Sequence, residues 1–302
     1  MTTSNDKAKV VLVEESEKKL VHNKDVTTSD SKTFVRITNK FREDDTNGVK
    51  LNEPTIIAGF PGPGLVGSIS ANYIIDKLNM HQIACIESEF IISGVIYTGG
   101  KLRHPFRIYT NDQRNICVVV CEAPIMVQGI HSVLDTLMKW SINNNVKEVL
   151  VLEGIAVQSI IPSDSKRESV MLSSYSSSGN EMGSSSFTRE LQEQIDNNTY
   201  PQRYLKQSTF IGGISGGLLS SCLYNEIPCN VLLIPASSGI PDLEGAAIMI
   251  ESLNRTSIND NLKLDAIQLR EQGLELKKHM EEIIRSIREQ QQEGRQQQMM
   301  YG

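Results

Sequence analysis

Gly59-Phe-Pro-Gly-Pro-Gly-Leu-Val-Gly67 stands between the apolar run Thr55-Ile-Ile-Ala and a helical pattern from Ser68 to Leu78. A short unbroken apolar run reads as a buried strand, and the Gly/Pro cluster after it as a turn into the helix. Within the turn, Gly62-Pro-Gly64-Leu-Val-Gly67 matches G-x-G-x-x-G, and Glu87 lies 87 − 67 = 20 residues beyond the third glycine, at the end of the next strand. In that context the pattern is a dinucleotide fingerprint: a pyrophosphate would rest on the helix N-terminus and Glu87 would hold a ribose hydroxyl. Pro61 and Pro63 weaken this reading, because each removes an amide donor from a loop whose amides would bind the phosphate. A glycine turn also serves wherever a strand and its following helix pack closely. The stretch therefore supports two readings, a nucleotide-binding loop or a joint of the fold.

Outward from this turn the chain alternates strands and amphipathic helices. Strand signals fall at Gln82–Ile86, Ile116–Cys121, Glu148–Leu152 and Cys229–Ile234, with a hairpin of Ile91–Tyr97 and Pro105–Tyr109 around Gly99-Gly100. Helices are expected at Gln128–Asn143, with Val133, Leu137 and Trp140 on one stripe, and at Leu243–Leu253. The rhythm resumes after a break at Thr209-Phe-Ile-Gly-Gly-Ile-Ser-Gly-Gly217, followed by a helix from Leu218 to Asn225. This alternation means an α/β sheet with helices on both faces.

Around that domain, assigned to residues 51–258, the texture changes. Residues 1–50 are polar, with short strand-like runs at Lys9–Val13 and Thr33–Ile37 and a loop from Phe41 to Lys50. Residues 163–200 are serine-rich and read as a flexible insertion. In residues 259–290, Leu269, Leu276, Met280, Ile283 and Ile287 keep spacings of seven, four, three and four, the stripe of an amphipathic helix that packs on its own domain or on another protomer. Residues 291–302 are a Gln-rich tail ending Met300-Tyr301-Gly302.

The 302 residues carry a net charge of −6 with a pI near 5.5, which gives no electrostatic reason to expect nucleic acid or an anionic membrane as partner. No apolar run approaches a membrane span, and the N-terminus lacks a signal-peptide core, so the expectation is a cytoplasmic protein. Five cysteines, an odd count with four of them in apolar runs, read as packed reduced thiols. Cys117 and Cys121 share a strand face but stand ~13 Å apart, too far for two ligands of one zinc ion. His22, His81, His104 and His131 show no ligand spacing, and no metal site is expected. H-E-x-x-H does not occur. Glu87, Glu89 and Glu122 sit at or near strand ends, without the base, nucleophile or metal spacing that would assign a reaction. Gly212–Gly217 reads as an anion loop before a helix or as close strand–helix packing.

Taken in order, several segments resemble the proteasome assembly chaperones, in their archaeal branch. They are Gly59–Gly67 with Ala71-Asn-Tyr-Ile-Ile75, Cys85-Ile-Glu-Ser-Glu89, Val119-Val-Cys-Glu-Ala-Pro124 and Val149-Leu-Val-Leu-Glu-Gly154. Ile211-Gly-Gly-Ile-Ser-Gly-Gly-Leu-Leu219 and Ile234 through Pro241-Asp-Leu-Glu-Gly-Ala-Ala247 complete the set. The chain departs from the family pattern at Leu243, where a second proline is more usual, and in the serine-rich insertion. The resemblance implies a three-layer α/β/α sandwich of the phosphorylase/hydrolase-like kind, without catalysis or cofactor. It implies a homo-oligomer that binds the α-ring of the 20S proteasome. It also implies that Met300-Tyr301-Gly302 is the hydrophobic–tyrosine–any-residue tail that docks between α-subunits. In that light Gly62, Gly64, Gly67 and Glu87 become markers of the fold, and the nucleotide reading is the alternative.

Overall fold

The computed structural model describes residues 33–37, 50–157, 167, 169–174, 210–237, 239–256, 264–276 and 278. The strands are β1 (Thr33–Ile37), β2 (Thr55–Gly59), β3 (His81–Ser88), β4 (Ile96–Thr98), β5 (Lys101–Arg103), β6 (Phe106–Thr110), β7 (Ile116–Cys121), β8 (Glu148–Val157), β9 (Val170–Ser173) and β10 (Cys229–Ser237). The helices are α1 (Val66–Lys77), α2 (Ile130–Asn143), α3 (Gly213–Tyr224) and α4 (Leu243–Leu253). Eight strands form one mixed sheet in the order β1-β3-β6-β7-β2-β8-β10-β9, and β4 and β5 pair separately. The central β7, β2, β8 and β10 are parallel, and they read as unbroken Ile/Val/Leu runs because both their faces are covered. Antiparallel β6, β3 and β1 extend one side, and antiparallel β9 closes the other.

Strand alternation sorts the side chains into two cores. Ile57, Val118, Val120, Leu150, Leu152, Leu232 and Ile234 pack with α1 and α4, through Ala71, Ile74, Ala247 and Ile250. Ile56, Ala58, Cys117, Val119, Val149, Val151, Val231 and Leu233 pack with α2 and α3, through Val133, Leu137, Trp140, Leu218 and Cys222. The stripe expected on α2 is this buried face. All five cysteines are free and buried; burial pushes the Cys85 and Cys121 thiols up to about 11 and Cys117 to about 12.

Several elements differ from the sequence expectation. The hairpin at Gly99-Gly100 joins only β4 to β5, and Phe106–Thr110 is instead a fully buried strand of the main sheet. α3 begins at Gly213, inside the glycine run, rather than at Leu218, since glycines carry no side-chain pattern by which to tell strand from helix. β9 lies within the stretch expected as a loop; its Val170 and Met171 are buried against β10. Residues 267–276 are helical, and Leu264, Ala266 and Leu269 join the α1/α4 core. Asn254 fixes that approach by donating its side-chain amide to the Leu264 carbonyl at 2.7 Å and accepting the Leu264 N–H at 2.9 Å. Arg270 then pairs with Glu251 and Glu244 of α4. Residues 9–13 and 41–49, Met280, Ile283, Ile287 and the C-terminal tripeptide lie outside the described residues.

The joint that holds β2, α1 and β8 together is built from backbone contacts. A Cβ at Gly59 would lie 2.1 Å from the Gly67 carbonyl oxygen, and one at Gly67 would lie 2.3 Å from the Leu152 carbonyl oxygen. In Gly67→Ala the gain in helix propensity, about 1 kcal/mol, opposes an overpacking cost of up to about 3 kcal/mol or more. Overpacking wins because both partners are backbone. Urea unfolding should show Gly67→Ala less stable by about 2 kcal/mol or more. Gly94→Ala, whose Cβ meets nothing within 4 Å, should fall within about 0.5 kcal/mol of the parent chain.

Candidate functional site

Parallel α/β sheets place their sites beyond the carboxyl ends of the strands, at the point where successive crossovers diverge. Here that point is β2. The chain leaves it through α1 toward β3 on one side, whereas β7, its neighbour, leads through α2 to β8 on the other. The glycine loop lies over this edge. It runs through a 3-10 turn at Pro63–Leu65, with Gly64 and Leu65 both left-handed at φ 63° and 52°.

The space beside the glycines is filled by the protein itself. A Cβ at Gly62 would lie 2.0 Å from the Glu153 carboxylate oxygen Oε1, and one at Gly154 would lie 2.3 Å from the Pro63 carbonyl oxygen. At Gly64 it would lie 2.8 Å from the Asp242 Cβ. The glycines therefore let the loop press onto β8 and onto the start of α4. Glu87, the acid expected 20 residues on, is not beside this loop. β6 and β7 separate β3 from β2, which puts Glu87 about 14 Å away across three strand spacings. Its carboxylate instead accepts two hydrogen bonds from Arg36 of β1, at 2.7 and 3.1 Å. The spacing of the dinucleotide fingerprint is present, but the topology separates its parts.

Three polar groups line the same edge. Glu153, buried near the end of β8, accepts from the Ser215 hydroxyl at the start of α3 and from the Gly154 N–H at 2.9 Å. Burial raises its pKa, against the lowering effect of those two hydrogen bonds. Arg107, fully buried on β6, donates to Glu122 after β7 and to the His104 carbonyl at 2.6 Å; Asn72 of α1 donates to the other Glu122 oxygen at 3.1 Å. Asp242 caps α4 by accepting the Gly245 N–H at 2.8 Å and pairs with Arg167 at 2.5 Å. Its own N–H donates to the Gly64 carbonyl at 2.8 Å.

Of these groups, Glu122 is visible in the sequence from its position at a strand end. Arg107 and Glu153 escape that reading, although each is a charge inside an apolar strand run, which is the signal that marks them. Ser215 lies within the glycine run, and its closeness to Glu153 is a tertiary fact. His81 contacts Asp112 at 3.0 Å, and His131 is exposed on α2. Apart from the buried Arg107 Nε, which has no hydrogen-bond partner among the described residues, the polar groups of this edge are bonded to their neighbours, an arrangement that fixes loops in place.

Around them the edge is apolar. Leu65, Ile92, Val95, Tyr97, Leu102, Met126, Val127 and Phe210 are exposed, and they follow β2, β3 and β7, form the β4–β5 hairpin, or precede α3. No helix among the described residues is long and apolar enough to cross a membrane.

The match that decides the family covers both cores and the glycine loop: the model of the PAC2 family fits residues 56–284. The chain belongs to the PAC2 family. An uncharacterised protein of Methanocaldococcus jannaschii is 27% identical over 218 residues, 71% of this chain and 80% of that protein. Among solved structures, a protein of unknown function from Thermoplasma acidophilum is 30% identical, with a TM-score of 0.61 over 82% of this chain and 92% of its own. Pyrococcus furiosus PbaA, described as an archaeal homologue of proteasome-assembly chaperone, superposes with a TM-score of 0.63 at 21% identity over 84% and 97% of the two chains. PbaB of the same organism, described as an archaeal proteasome activator, gives 0.62 at 18% identity over 85% and 98%. At these identities the Pyrococcus proteins share the PAC2 fold with this chain.

Glu153 gives the site a pH signature. Its folded pKa is raised above the unfolded value, so ionising it penalises the folded state above that folded pKa, and the penalty disappears as pH falls through both values. Glu153→Gln keeps an acceptor for Gly154 and removes the charge. Thermal unfolding should find Glu153→Gln at least as stable as the parent at about pH 8. Its advantage should shrink as pH falls toward 4.5, the ordinary carboxylate value.

Proposed function

We propose that this PAC2 protein is a non-catalytic, ATP-independent binding protein, an assembly chaperone or cap of the 20S proteasome that engages the α-ring as a homo-oligomer. The observation that carries this reading is the family match over residues 56–284, on a fold shared with one protein described as a proteasome-assembly chaperone homologue and another described as a proteasome activator. The internally bonded polar edge and its exposed apolar rim favour a surface for a macromolecular partner over a reaction site.

In this reading the docking element is Met300-Tyr301-Gly302, which fits the hydrophobic–tyrosine–any-residue pattern. The tail enters a pocket between neighbouring α-subunits. There the Tyr301 ring packs on the wall and its hydroxyl finds a hydrogen bond, while the carboxylate after Gly302 pairs with a lysine. Several tails on one oligomer raise avidity without adding contacts. Residues 259–290 link the α/β domain to the tail, and their Leu269 end is already anchored on α1 and α4.

Deletion of Tyr301-Gly302 should abolish co-sedimentation with purified α-rings, and Tyr301→Ala should weaken it by about 10-fold or more, the loss expected of an aromatic anchor worth about 2 kcal/mol. Undiminished binding by the truncated chain would rule out the tail as the docking element. Failure of the intact chain to bind any α-ring would rule out the function.

A further inference from the structure

Cys85 and Glu87 leave β3 two residues apart, on the face where Arg36 and Arg107 are the register partners of Cys85. His104 lies just before β6, with a ring nitrogen near the Cys85 and Glu87 donor atoms. One donor atom from each of Cys85, Glu87 and His104 lies within 4.8 Å of the other two. We propose that these three residues form a binding site for one divalent transition-metal ion of the zinc class, with a fourth position open to water.

The donor set fits such an ion. A thiolate, an imidazole and a carboxylate are the three ligand types that zinc accepts, and three protein ligands plus water make the open tetrahedral arrangement. At ordinary zinc–ligand lengths the donors of a tetrahedral site stand roughly 3.5 Å apart, so closure from 4.8 Å takes a side-chain rotation and no movement of the sheet. His104 is exposed and can supply that rotation; its side also gives the ion a path from solvent. Cys85 is buried at the base. Thiolate and carboxylate together balance the charge of the ion.

The surroundings hold the ligands as outer-shell partners do in metal sites. Arg36 orients Glu87 through the bonds at 2.7 and 3.1 Å, and each carboxylate oxygen retains a further acceptor direction for a metal. Arg107 fixes the His104 backbone by its 2.6 Å bond to the carbonyl. The repulsion of two arginines beside a cation is offset, since Arg36 is paired with Glu87 and Arg107 with Glu122. The spacing of the ligands hid the site from the sequence: Glu87 and His104 are 104 − 87 = 17 positions apart, and the β4–β5 hairpin lies between them. A bound ion would tie together the two feet of that hairpin, which carries Tyr97 and Leu102 on the apolar rim.

Cobalt titration of the metal-stripped, full-length protein tests the proposal. The expected result is one Co²⁺ per chain, with a sulfur-to-cobalt charge-transfer band and the visible absorption of a tetrahedral site, both removed by added Zn²⁺. Cys85→Ser should lose the charge-transfer band while Cys121→Ser keeps it. His104→Ala, which alters an exposed side chain and should leave the circular dichroism spectrum intact, should weaken binding by more than about 10-fold. Absence of Co²⁺ and Zn²⁺ binding by the parent chain would overturn the proposal. So would a band and affinity unchanged in both Cys85→Ser and His104→Ala.

Discussion

The close approach of two backbones, the glycine joint after β2 against the carbonyls of β8, sets the position of most other elements. Gly59 and Gly67 bring α1 down onto the sheet, and Gly62 and Gly154 let the loop lie against Glu153 and Pro63. From there the order propagates by bonds that can be followed. The Gly64 carbonyl receives the Asp242 N–H, Asp242 caps α4, and α4 with α1 forms the bed for Leu264, Ala266 and Leu269. A single methyl group in the joint would act on all of these, because packed interiors have little free volume in which to absorb it.

The same compactness bears on function. A phosphate-binding loop keeps its amides facing outward around an empty concavity. In this chain two of the residues in the loop are prolines, and protein atoms occupy the space next to its glycines. Two of the buried charges nearby are neutralised internally, Arg107 by Glu122 and Asp242 by Arg167. Such an edge is held by its own bonds, and its Arg107 fixes the His104 carbonyl at one foot of the β4–β5 hairpin.

The parts of this molecule legible in the sequence are those set by local pattern. β7 and α4 have the boundaries that their residues predict, because an unbroken Val/Cys run and a Pro-Asp start before an amphipathic stretch are local signals. The sequence draws β6 into a hairpin that its register excludes, since pairing with β3 and β7 is decided by tertiary contact and leaves no mark in Phe106–Thr110. β9 is hidden by the serines that follow it, although Val170 and Met171 carry a short apolar signal. Glu87 misleads for a topological reason. Counting residues from a glycine turn assumes that the next strand is the neighbouring one, and here two strands intervene. The pairing of Ser215 with Glu153, 62 residues apart, follows from the order of β8 and β10 and from no spacing rule.

The strand order also imposes a schedule on folding. In the β6–β7 pair Phe106 meets Cys121, 121 − 106 = 15 residues away, so this part of the sheet closes through short loops. In the β8–β10 pair Cys229 meets Val149, 229 − 149 = 80 residues earlier, and β9 must wait for β10 although the ribosome delivers it first. Non-local parallel pairings form late because closure entropy is lost before their contacts form. Until then β8 presents an unpaired apolar edge, so during synthesis this half of the domain depends on the arrival of β10 to cover it.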